Sequence, residues 1–250
     1  MSVDAIAPDG TRSFAQVAII PTEIDLLLDS DSYVPPFYRG RALASPGTRV
    51  RLEAIPHFVR PGGSEIPASD LTYTWRRNDE TIAGVSGPGK SSATIASPVL
   101  FGTDIISVEA VSADGALSGS ASMRIPSTET VLALYEDHPL YGILYNRALG
   151  SQTLIPDSEM TFAAVPYFAQ ARSADDPTLE YTWRVNDSSV KADAARPSEL
   201  TINAQNSNGL ALVALELASA TNVFLRASRE WGITLSAQSG FTDQFRASGQ

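Results

Sequence analysis

The chain has 250 residues, 43% hydrophobic and 18% charged, which is long enough for one large or two ordinary domains and apolar enough for packed cores. Its 18 Lys+Arg against 28 Asp+Glu give a net charge of −10, which repels phosphate backbones and anionic lipids and argues against nucleic-acid partners. Cysteine is absent, which excludes disulfides, thiolate metal sites and cysteine nucleophiles.

The first predicted element is a hairpin at the start of the chain. Asp9 and Gly10 are typical of a tight turn, and polar and apolar residues alternate from residue 13 to residue 19. This stretch resembles residues 114–129, where one alternating run ends and the next begins. We therefore interpret residues 1–21 as the last hairpin of a preceding domain whose body is missing. An ordinary additional N-terminal hairpin is the alternative.

Antiparallel strands with one buried face are predicted along most of the remaining chain. Apolar and polar residues alternate over residues 50–55, 71–76 and 105–111, a period that is typical of half-buried antiparallel strands. Turn residues such as Asp114 and Gly115 separate these runs. Residues 210–220 are rich in Ala, Leu and Glu and would also fit a helix, but they align with the β-branched run around Ile106. We therefore predict a strand there.

An internal repeat divides the chain. The sequence Tyr-Thr-Trp-Arg at 73–76, followed by Asn-Asp at 78–79, returns 108 residues later. Residues 22–43 align without gaps on residues 128–149, and two further blocks recur in the same order. A period of this length is that of a whole domain. The predicted organisation is a terminal hairpin, a first copy, a second copy and a polar tail, at residues 1–21, 22–126, 127–237 and 238–250.

The predicted fold class is all-β, with two tandem Ig-like antiparallel β-sandwiches preceded by a hairpin left from a truncated third. Trp75 and Trp183 occupy the same position of the repeat, in the middle of a predicted strand. In Ig-like sandwiches, an inward-facing Trp on the third strand fills the space between the two sheets. Both tryptophans are therefore predicted to be structural core residues.

The repeated Tyr-Thr-Trp-Arg-x-Asn-Asp sequence resembles the Tyr-x-Trp-x-x-Asn-Gly pattern of bacterial Ig-like and PKD-like repeats. Together with residues 33–43, it looks like multi-domain surface proteins of candidate-phylum, Parcubacteria-type bacteria, and the resemblance covers nearly the whole chain. It implies export and a tandem Ig-like architecture, and it supplies no catalytic residues. The Phe-Gly-Asp-Gly that usually follows the Trp in PKD repeats is absent here, so PKD and other Ig-like subtypes both stay open.

No group of residues predicts catalysis. The chain has two histidines: His57 aligns with Tyr167, which favours a packing role for its ring, and His138 lies in a predicted loop. No Gly-x-Ser-x-Gly turn or phosphate-binding loop is present. The protein is therefore predicted not to be an enzyme and to need no cofactor.

Acidic residues cluster near the start of each copy, in stretches predicted to lie close to the preceding domain. Oxygen ligands between sandwich domains can bind Ca²⁺ and stiffen an array, whereas solvated acidic loops are the simpler interpretation. No metal site is predicted, and a junction calcium site is kept as the minor alternative. Its candidate ligands are Asp25, Asp29, Asp31, Glu136 and Asp137.

Aromatic residues also concentrate at the start of both copies. They would form a ligand platform if exposed, or would pack against the neighbouring domain and fix the angle between copies if buried. Their recurrence at the same place in both copies favours packing. The candidates for binding or interdomain contact are Tyr33, Phe37, Tyr38, Tyr141 and Tyr145.

The sequence thus predicts a non-enzymatic spacer or adhesive segment of an exported bacterial cell-envelope protein. A glycan- or protein-binding module is the alternative, and a set of accessory domains of an enzyme is a more distant one. The expected partners are other domains of the same array, and a glycan or a surface protein if the module binds. No run approaches the ~18–20 apolar residues of a membrane span. The resemblance to bacterial surface repeats implies a location in the cell envelope or the extracellular space, with a signal that is lost or lies upstream.

Overall fold

The computed structural model describes residues 2–16, 22–155, 159–204 and 207–235. Across these residues the structure is all-β, which confirms the predicted fold class; its helical parts are the short 3-10 turns Ala68–Asp70 and Ala83–Val85. The strands are β1 (Ser2–Ile6), β2 (Arg12–Gln16), β3 (Thr22–Ser30), β4 (Arg49–Phe58), β5 (Leu71–Arg77), β6 (Glu80–Thr81), β7 (Gly87–Pro88), β8 (Ser92–Ala96), β9 (Thr103–Ser112), β10 (Ser118–Pro126), β11 (Val131–His138), β12 (Gly142–Ile143), β13 (Gln152–Ile155), β14 (Glu159–Tyr167), β15 (Leu179–Val185), β16 (Ser188–Val190), β17 (Glu199–Asn203), β18 (Gly209–Ser219) and β19 (Arg226–Leu235).

The chain divides into two compact units. Unit 1 takes in the described residues of Met1–Leu28, Arg51–Ile95 and Asp104–Ile125, and unit 2 takes in those of Asp29–Val50, Ala96–Thr103 and Pro126–Gln250. Two stretches of the first copy of the repeat therefore belong to the unit that contains the second copy. The domain boundaries read from the repeat stay predictions.

Unit 1 is built mainly on two sheets and a hairpin. The strand orders are β10-β9-β5-β6, with β7 also paired to β5, and β3-β4-β8, while β1 and β2 form a separate antiparallel hairpin. Strand β9 alternates between buried and exposed or half-buried residues along its whole length, as the period of two predicts. The turn between β9 and β10 contains Gly115 with φ of 70°, a conformation that glycine adopts without strain.

Unit 2 contains two further sheets around one hydrophobic core. Strands β12-β11-β14-β17 form one sheet and β13-β19-β18-β15-β16 the other; β13 pairs in parallel with β19, and β18 pairs antiparallel with both β15 and β19. One sheet thus holds β11, β14 and β17, and the other holds β15, β18 and β19. This division corresponds to strands A, B and E against C, F and G of an immunoglobulin-like sandwich. Strand β18 confirms the prediction for residues 210–220.

The repeated motif makes the same contacts in both copies. The Trp75 Nε1–H donates to the carbonyl oxygen of Lys90 at 2.9 Å, and the Trp183 Nε1–H donates to that of Pro197 at 3.0 Å. Both indole rings are fully buried. The motif tyrosines donate in turn, Tyr73 to the carbonyl of Ala68 and Tyr181 to that of Ala174.

The end of the motif closes a hairpin in each copy. Asn78 and Asp79 both have positive φ values, as do Asn186 and Asp187, which is the conformation of the two-residue turn that suits twisted strands. The Asn78 Oδ1 accepts from the Ile105 N–H at 2.8 Å, and the Asn186 Oδ1 accepts from the Leu212 N–H at 2.9 Å. The motif therefore specifies turn and core geometry in both units.

Candidate functional site

The candidate site lies in unit 2, where the stretch Asp29–Val50 meets the loop that follows β14. The Tyr33 N–H donates to the Ala169 carbonyl at 2.8 Å, and the Phe168 N–H donates to the Tyr33 carbonyl at 2.7 Å. These two bonds join the chain segments as adjacent rungs of a ladder do. We call residues 31–48 the opening segment of the first copy.

Side-chain hydrogen bonds fix the opening segment further along. The Ser45 hydroxyl donates to the Phe168 carbonyl. The Asn222 Nδ2 donates to the Pro46 carbonyl at 2.8 Å and to the Gln170 Oε1, also at 2.8 Å. Ser45 and Asn222 are both buried, and a buried polar group that loses its partner is destabilising. The segment is thus held by groups that have no water to replace their partners.

The start of the second copy is bonded to the same part of unit 2. The Thr128 N–H donates to the Ala44 carbonyl at 2.7 Å, and the Ser127 N–H donates to the Gly102 carbonyl at 2.9 Å. The peptide that connects the two copies is therefore hydrogen-bonded to the first copy's loops.

A group of aromatic rings, which we call the tyrosine cluster, lies against this contact. It consists of Tyr38, Tyr135, Tyr145, Tyr167 and Phe168. The Tyr38 ring meets Tyr167 edge-on with centroids 5.5 Å apart, the Tyr135 and Tyr167 hydroxyls are 2.6 Å apart, and Tyr135 and Tyr145 have centroids 5.6 Å apart. Edge-on and tilted pairs of this kind are the favoured arrangements of aromatic rings.

Burial raises the pKa of the tyrosines in and beside the cluster. For Tyr33, burial together with the nearby Tyr145 and Asp175 raises the pKa to about 12. Burial is also the main cause of the raised pKa of Tyr145, Tyr167 and Tyr181. These hydroxyls hold their protons well above neutral pH, so they act as hydrogen-bonding and packing groups and not as bases or nucleophiles.

The structure separates the five predicted aromatic residues into two groups. Tyr33 and Tyr145 are half-buried, and Tyr38, although 37% exposed, packs its ring against Tyr167 and Phe168. Phe37 is 90% exposed and Tyr141 is 76% exposed, and the Tyr141 ring stacks on His138 with centroids 4.7 Å apart. The first three residues therefore make packing contacts, whereas Phe37 and Tyr141 are exposed.

The interpretation of His57 as a packing residue is wrong. Its side chain is exposed, and its Nε2 lies 3.0 Å from the Asp25 Oδ2. Its aligned residue, Tyr167, is in contrast partly buried in the tyrosine cluster. A shared ring shape at aligned positions did not imply a shared environment, because His57 belongs to unit 1 and Tyr167 to unit 2.

Two of the five acidic candidates, Asp31 and Asp137, lie beside arginines. The Asp31 Oδ2 lies 3.1 Å from the Arg49 Nε, and the Asp137 Oδ2 lies 3.7 Å from an Arg196 nitrogen. Over residues 2–16, 22–155, 159–204 and 207–235, no three His, Cys, Asp or Glu side chains are grouped so that they could hold a metal ion. The remaining three candidates are Asp25, which is exposed and lies beside His57, Asp29, which is exposed, and Glu136, which is half-buried.

Sequence reasoning missed Ser45, Gln170, Asn222 and the core residue Trp231. The first three are single polar residues in loops, and such residues carry no periodic or motif signal. Trp231 does have a signal: it lies in β19 two residues before Ile233, and both are buried, so the alternation of that strand would have placed it in the core.

Comparisons with known proteins add little to these observations. No protein-family model matches the sequence, and no curated protein matches it. Among solved structures, the chain is similar to the Clostridium thermocellum CbhA fibronectin(III)-like modules (12% identity, TM-score 0.28, covering 84% of this chain and 94% of that one). It is also similar to Sidekick-1 immunoglobulin domains 1–4 (11%, 0.26, 83% and 74%) and to the central fibronectin-III array of RIM-binding protein (12%, 0.26, 79% and 67%). The fold assignment therefore rests on the chain's own strand order.

The described residues contain no helix with the length and apolar character that crossing a membrane would require.

Proposed function

We propose that this protein is a non-catalytic spacer in which successive sandwiches are joined without a flexible linker. The observation that supports this most directly is the set of hydrogen bonds that ties residues 127 and 128 to Gly102 and Ala44. A freely jointed tether would instead expose its backbone groups to water. In our proposal, the protein works by holding its ends apart. The opening segment is the part through which the first copy is hydrogen-bonded to the second.

The chemistry of the contact fits a permanent structural role. The polar groups of Ser45 and Asn222 are buried and paired, and the surrounding tyrosines remain neutral at physiological pH. The hydroxyl, amide and backbone groups that make these hydrogen bonds are uncharged, so their own charge does not change near neutral pH. We further propose, from the resemblance to bacterial surface repeats, that the protein is exported and acts at the cell envelope.

Distance measurements between spin labels test the rigidity on which this function depends. Because the chain has no cysteine, labels can be attached at Arg39→Cys in the opening segment and Glu180→Cys in β15, both exposed positions of unit 2. We expect a single narrow distance distribution. The double substitution Ser45→Ala with Asn222→Ala should broaden it, because it removes the side-chain bonds that hold the segment.

A label pair at Thr201→Cys and Glu180→Cys is the matched control, since both positions lie on strands of unit 2 and neither lies in the opening segment. Its distribution should be narrow with or without the double substitution. A broad distribution for the pair at positions 39 and 180 in the otherwise unchanged chain would contradict the spacer function.

The exposed Phe37 favours a second candidate function, a binding module. Its ring is 90% exposed and its backbone has φ of 64°, a left-handed conformation that is unusual for a bulky residue and is often found at functional sites. A glycan array probed with the full chain and with Phe37→Ser tests this candidate. Binding that the substitution removes would support it, and no binding by the unchanged chain would count against it.

A further inference from the structure

Two loops of unit 2 expose large apolar residues to water. The loop between β8 and β9 carries Val99 and Phe101, and the loop between β18 and β19 carries Val223 and Phe224. These four residues are between 56% and 78% exposed. Leu100 of the first loop lines the same pocket as Val223 and Phe224 of the second. The two loops therefore lie side by side and form one surface, which we call the apolar patch.

The repeat indicates that the fold does not require apolar residues in these loops. Residues 99–101 of the first copy align with Asn-Ser-Asn at 206–208 of the second, and residues 223–224 of the second copy align with Gly-Ala at 115–116 of the first. Single exposed apolar residues are common in soluble proteins, whereas a contiguous apolar patch is typical of an interaction site. The apolar patch is therefore better explained by an interaction than by folding.

Hydrogen bonds fix both loops in the absence of a partner. The Gly102 N–H donates to the Val99 carbonyl at 2.8 Å, and the Leu225 N–H donates to the Asn222 carbonyl at 3.0 Å. The Phe224 N–H also donates to the Asn222 Oδ1 at 3.1 Å. Because loops that are already ordered lose little conformational entropy on binding, the apolar patch is prepared for association.

The pocket between the two loops has the size of one aromatic ring. Its volume is about 160 Å³, and a cavity of about 150 Å³ can hold benzene. Pro46, Leu100 and Leu225 contribute to its apolar lining. Phe101 is the most exposed residue of the apolar patch, and it does not line the pocket of its own chain. The patch thus presents both an exposed phenyl ring and a pocket that a phenyl ring fits.

The pocket also carries two opposite charges. Glu129 and Arg226 both line it, and both residues are exposed. Within residues 2–16, 22–155, 159–204 and 207–235, neither side chain belongs to an ion pair. Across a two-fold axis, each of two residues can meet the other on the facing copy. The patch is therefore self-complementary in charge as well as in shape.

We propose that the apolar patch is a two-fold interface between two copies of this chain. In it, Phe101 of each copy occupies the pocket of the other, and Glu129 of each copy faces Arg226 of the other. This inference goes beyond the spacer function, which concerns contacts within one chain. Because the patch is small, we expect a weak dimer, with a dissociation constant between about 10 µM and 1 mM.

Sedimentation equilibrium of the 250-residue chain over this concentration range tests the proposal. We expect a monomer–dimer equilibrium. Phe101→Asn introduces the residue that stands at the aligned position 208, and it should weaken the dimer at least about tenfold because the pocket loses its occupant. A chain that stays monomeric at every concentration would overturn the proposal.

The same variant should fold normally. The Phe101 ring is exposed and its backbone has φ of 60°, a conformation that asparagine adopts more readily than phenylalanine does. The urea midpoint of Phe101→Asn, measured where the chain is monomeric, should therefore be no lower than that of the unchanged chain. A lowered midpoint would show that Phe101 stabilises its own chain and would overturn its assignment to the interface.

Phe37→Asn is the matched control. Phe37 is also exposed and has φ of 64°, but it does not line the pocket. Its substitution should leave the dissociation constant unchanged. An equal loss of dimer in Phe37→Asn and Phe101→Asn would mean that exposed rings associate without specificity, which would contradict the proposed interface.

Exchange of charges tests the two-fold arrangement. Glu129→Arg and Arg226→Glu should each weaken the dimer, because each places like charges opposite one another across the axis. The double variant should restore it, since opposite charges face each other again. A double variant as weak as the single ones would refute the pairing of Glu129 with Arg226.

Flotation with phosphatidylcholine vesicles tests a different occupant of the apolar patch. We expect the chain to remain unbound. If a monomeric chain binds these vesicles and Phe101→Asn removes the binding, the partner of the patch is a lipid surface and the proposed dimer is wrong.

Discussion

Trp183 and Trp231 are buried to the same extent in unit 2 but differ in what their ring nitrogens contact. The Trp183 Nε1–H donates to the Pro197 carbonyl, whereas the Trp231 Nε1 has no hydrogen-bond partner among the residues that the structure describes. The Trp231 ring instead lies near the Arg229 guanidinium, 5.5 Å from its carbon. The two residues therefore separate the contribution of apolar burial from that of a buried hydrogen bond.

This difference predicts unequal effects of the same substitution. Trp183→Phe leaves the Pro197 carbonyl without its donor, so it should lower the free energy of unfolding by about 1–2 kcal/mol more than Trp231→Phe does. Urea denaturation of the two variants measures the difference. Equal losses would show that the indole hydrogen bond contributes nothing to the stability of unit 2.

Tyr33 should make the free energy of unfolding fall as the pH becomes alkaline. Its pKa is raised from the usual 10.0 to about 12, mainly by burial, so the folded chain retains a proton that the unfolded chain loses above pH 10.0. The corresponding stability is fully present below that pH and is lost as the pH rises towards about 12. Tyr33→Phe should therefore make the alkaline loss of stability less steep.

Urea midpoints between pH 9 and pH 12, bracketing the folded and unfolded pKa of Tyr33, measure this effect, with Tyr141→Phe as the matched control at an exposed tyrosine. The control should follow the unchanged chain. An unaltered slope in Tyr33→Phe would mean that the Tyr33 hydroxyl titrates alike in the folded and unfolded states.

At the scale of elements, the hairpin between β5 and β6 shows how one short motif can both form a tight turn and make side-chain hydrogen bonds. Asn78 and Asp79 both have positive φ values, a conformation that asparagine and aspartate adopt more readily than most residues but less readily than glycine. Asn78 also donates to the Asp104 Oδ1 at 2.9 Å and accepts from the Ile105 N–H, whereas Asp79 is exposed. Backbone strain is shared by the two residues, but the side-chain bonds belong to Asn78.

Glycine substitutions separate these contributions. Asp79→Gly should raise the free energy of unfolding by up to about 1 kcal/mol, because it relieves the strain and breaks no side-chain bond. Asn78→Gly relieves similar strain but removes two hydrogen bonds, so it should be less stable than Asp79→Gly by about 1–2 kcal/mol. Urea denaturation of both variants measures the difference, and the opposite order of stability would contradict this assignment.

The alternation of polar and apolar residues, together with the internal repeat, was sufficient to predict strands such as β9 and β18. The period of two in β9 marked its buried face, and the alignment with β9 identified β18 as a strand although its composition also suits a helix. The candidate site was less accessible to such reasoning. The bond from Asn222 to Pro46 joins loops that are far apart in sequence, and neither residue belongs to a periodic pattern. His57 and Tyr167 align, yet their surroundings differ because unit 2 includes the opening segment.

At the scale of the whole molecule, buried tryptophans mark two separate cores. Trp183 belongs to the core cluster of unit 2 together with Trp231 and Phe162, and Trp75 is buried in unit 1. The net charge of the chain is −10, and exposed ion pairs such as Arg184–Glu216 contribute little in water. Stability should therefore come mainly from the two cores.

Truncation of one tryptophan at a time should then affect one unit. Trp75→Ala and Trp183→Ala each remove a buried indole and leave a cavity, a change that lowers the free energy of unfolding by about 3–5 kcal/mol. Amide hydrogen exchange shows where the loss occurs: Trp75→Ala should speed exchange in β5 and β9, and Trp183→Ala in β15 and β18. If either substitution speeds exchange equally in all four strands, the two cores unfold as one, and the chain is a single cooperative unit in spite of its duplicated sequence.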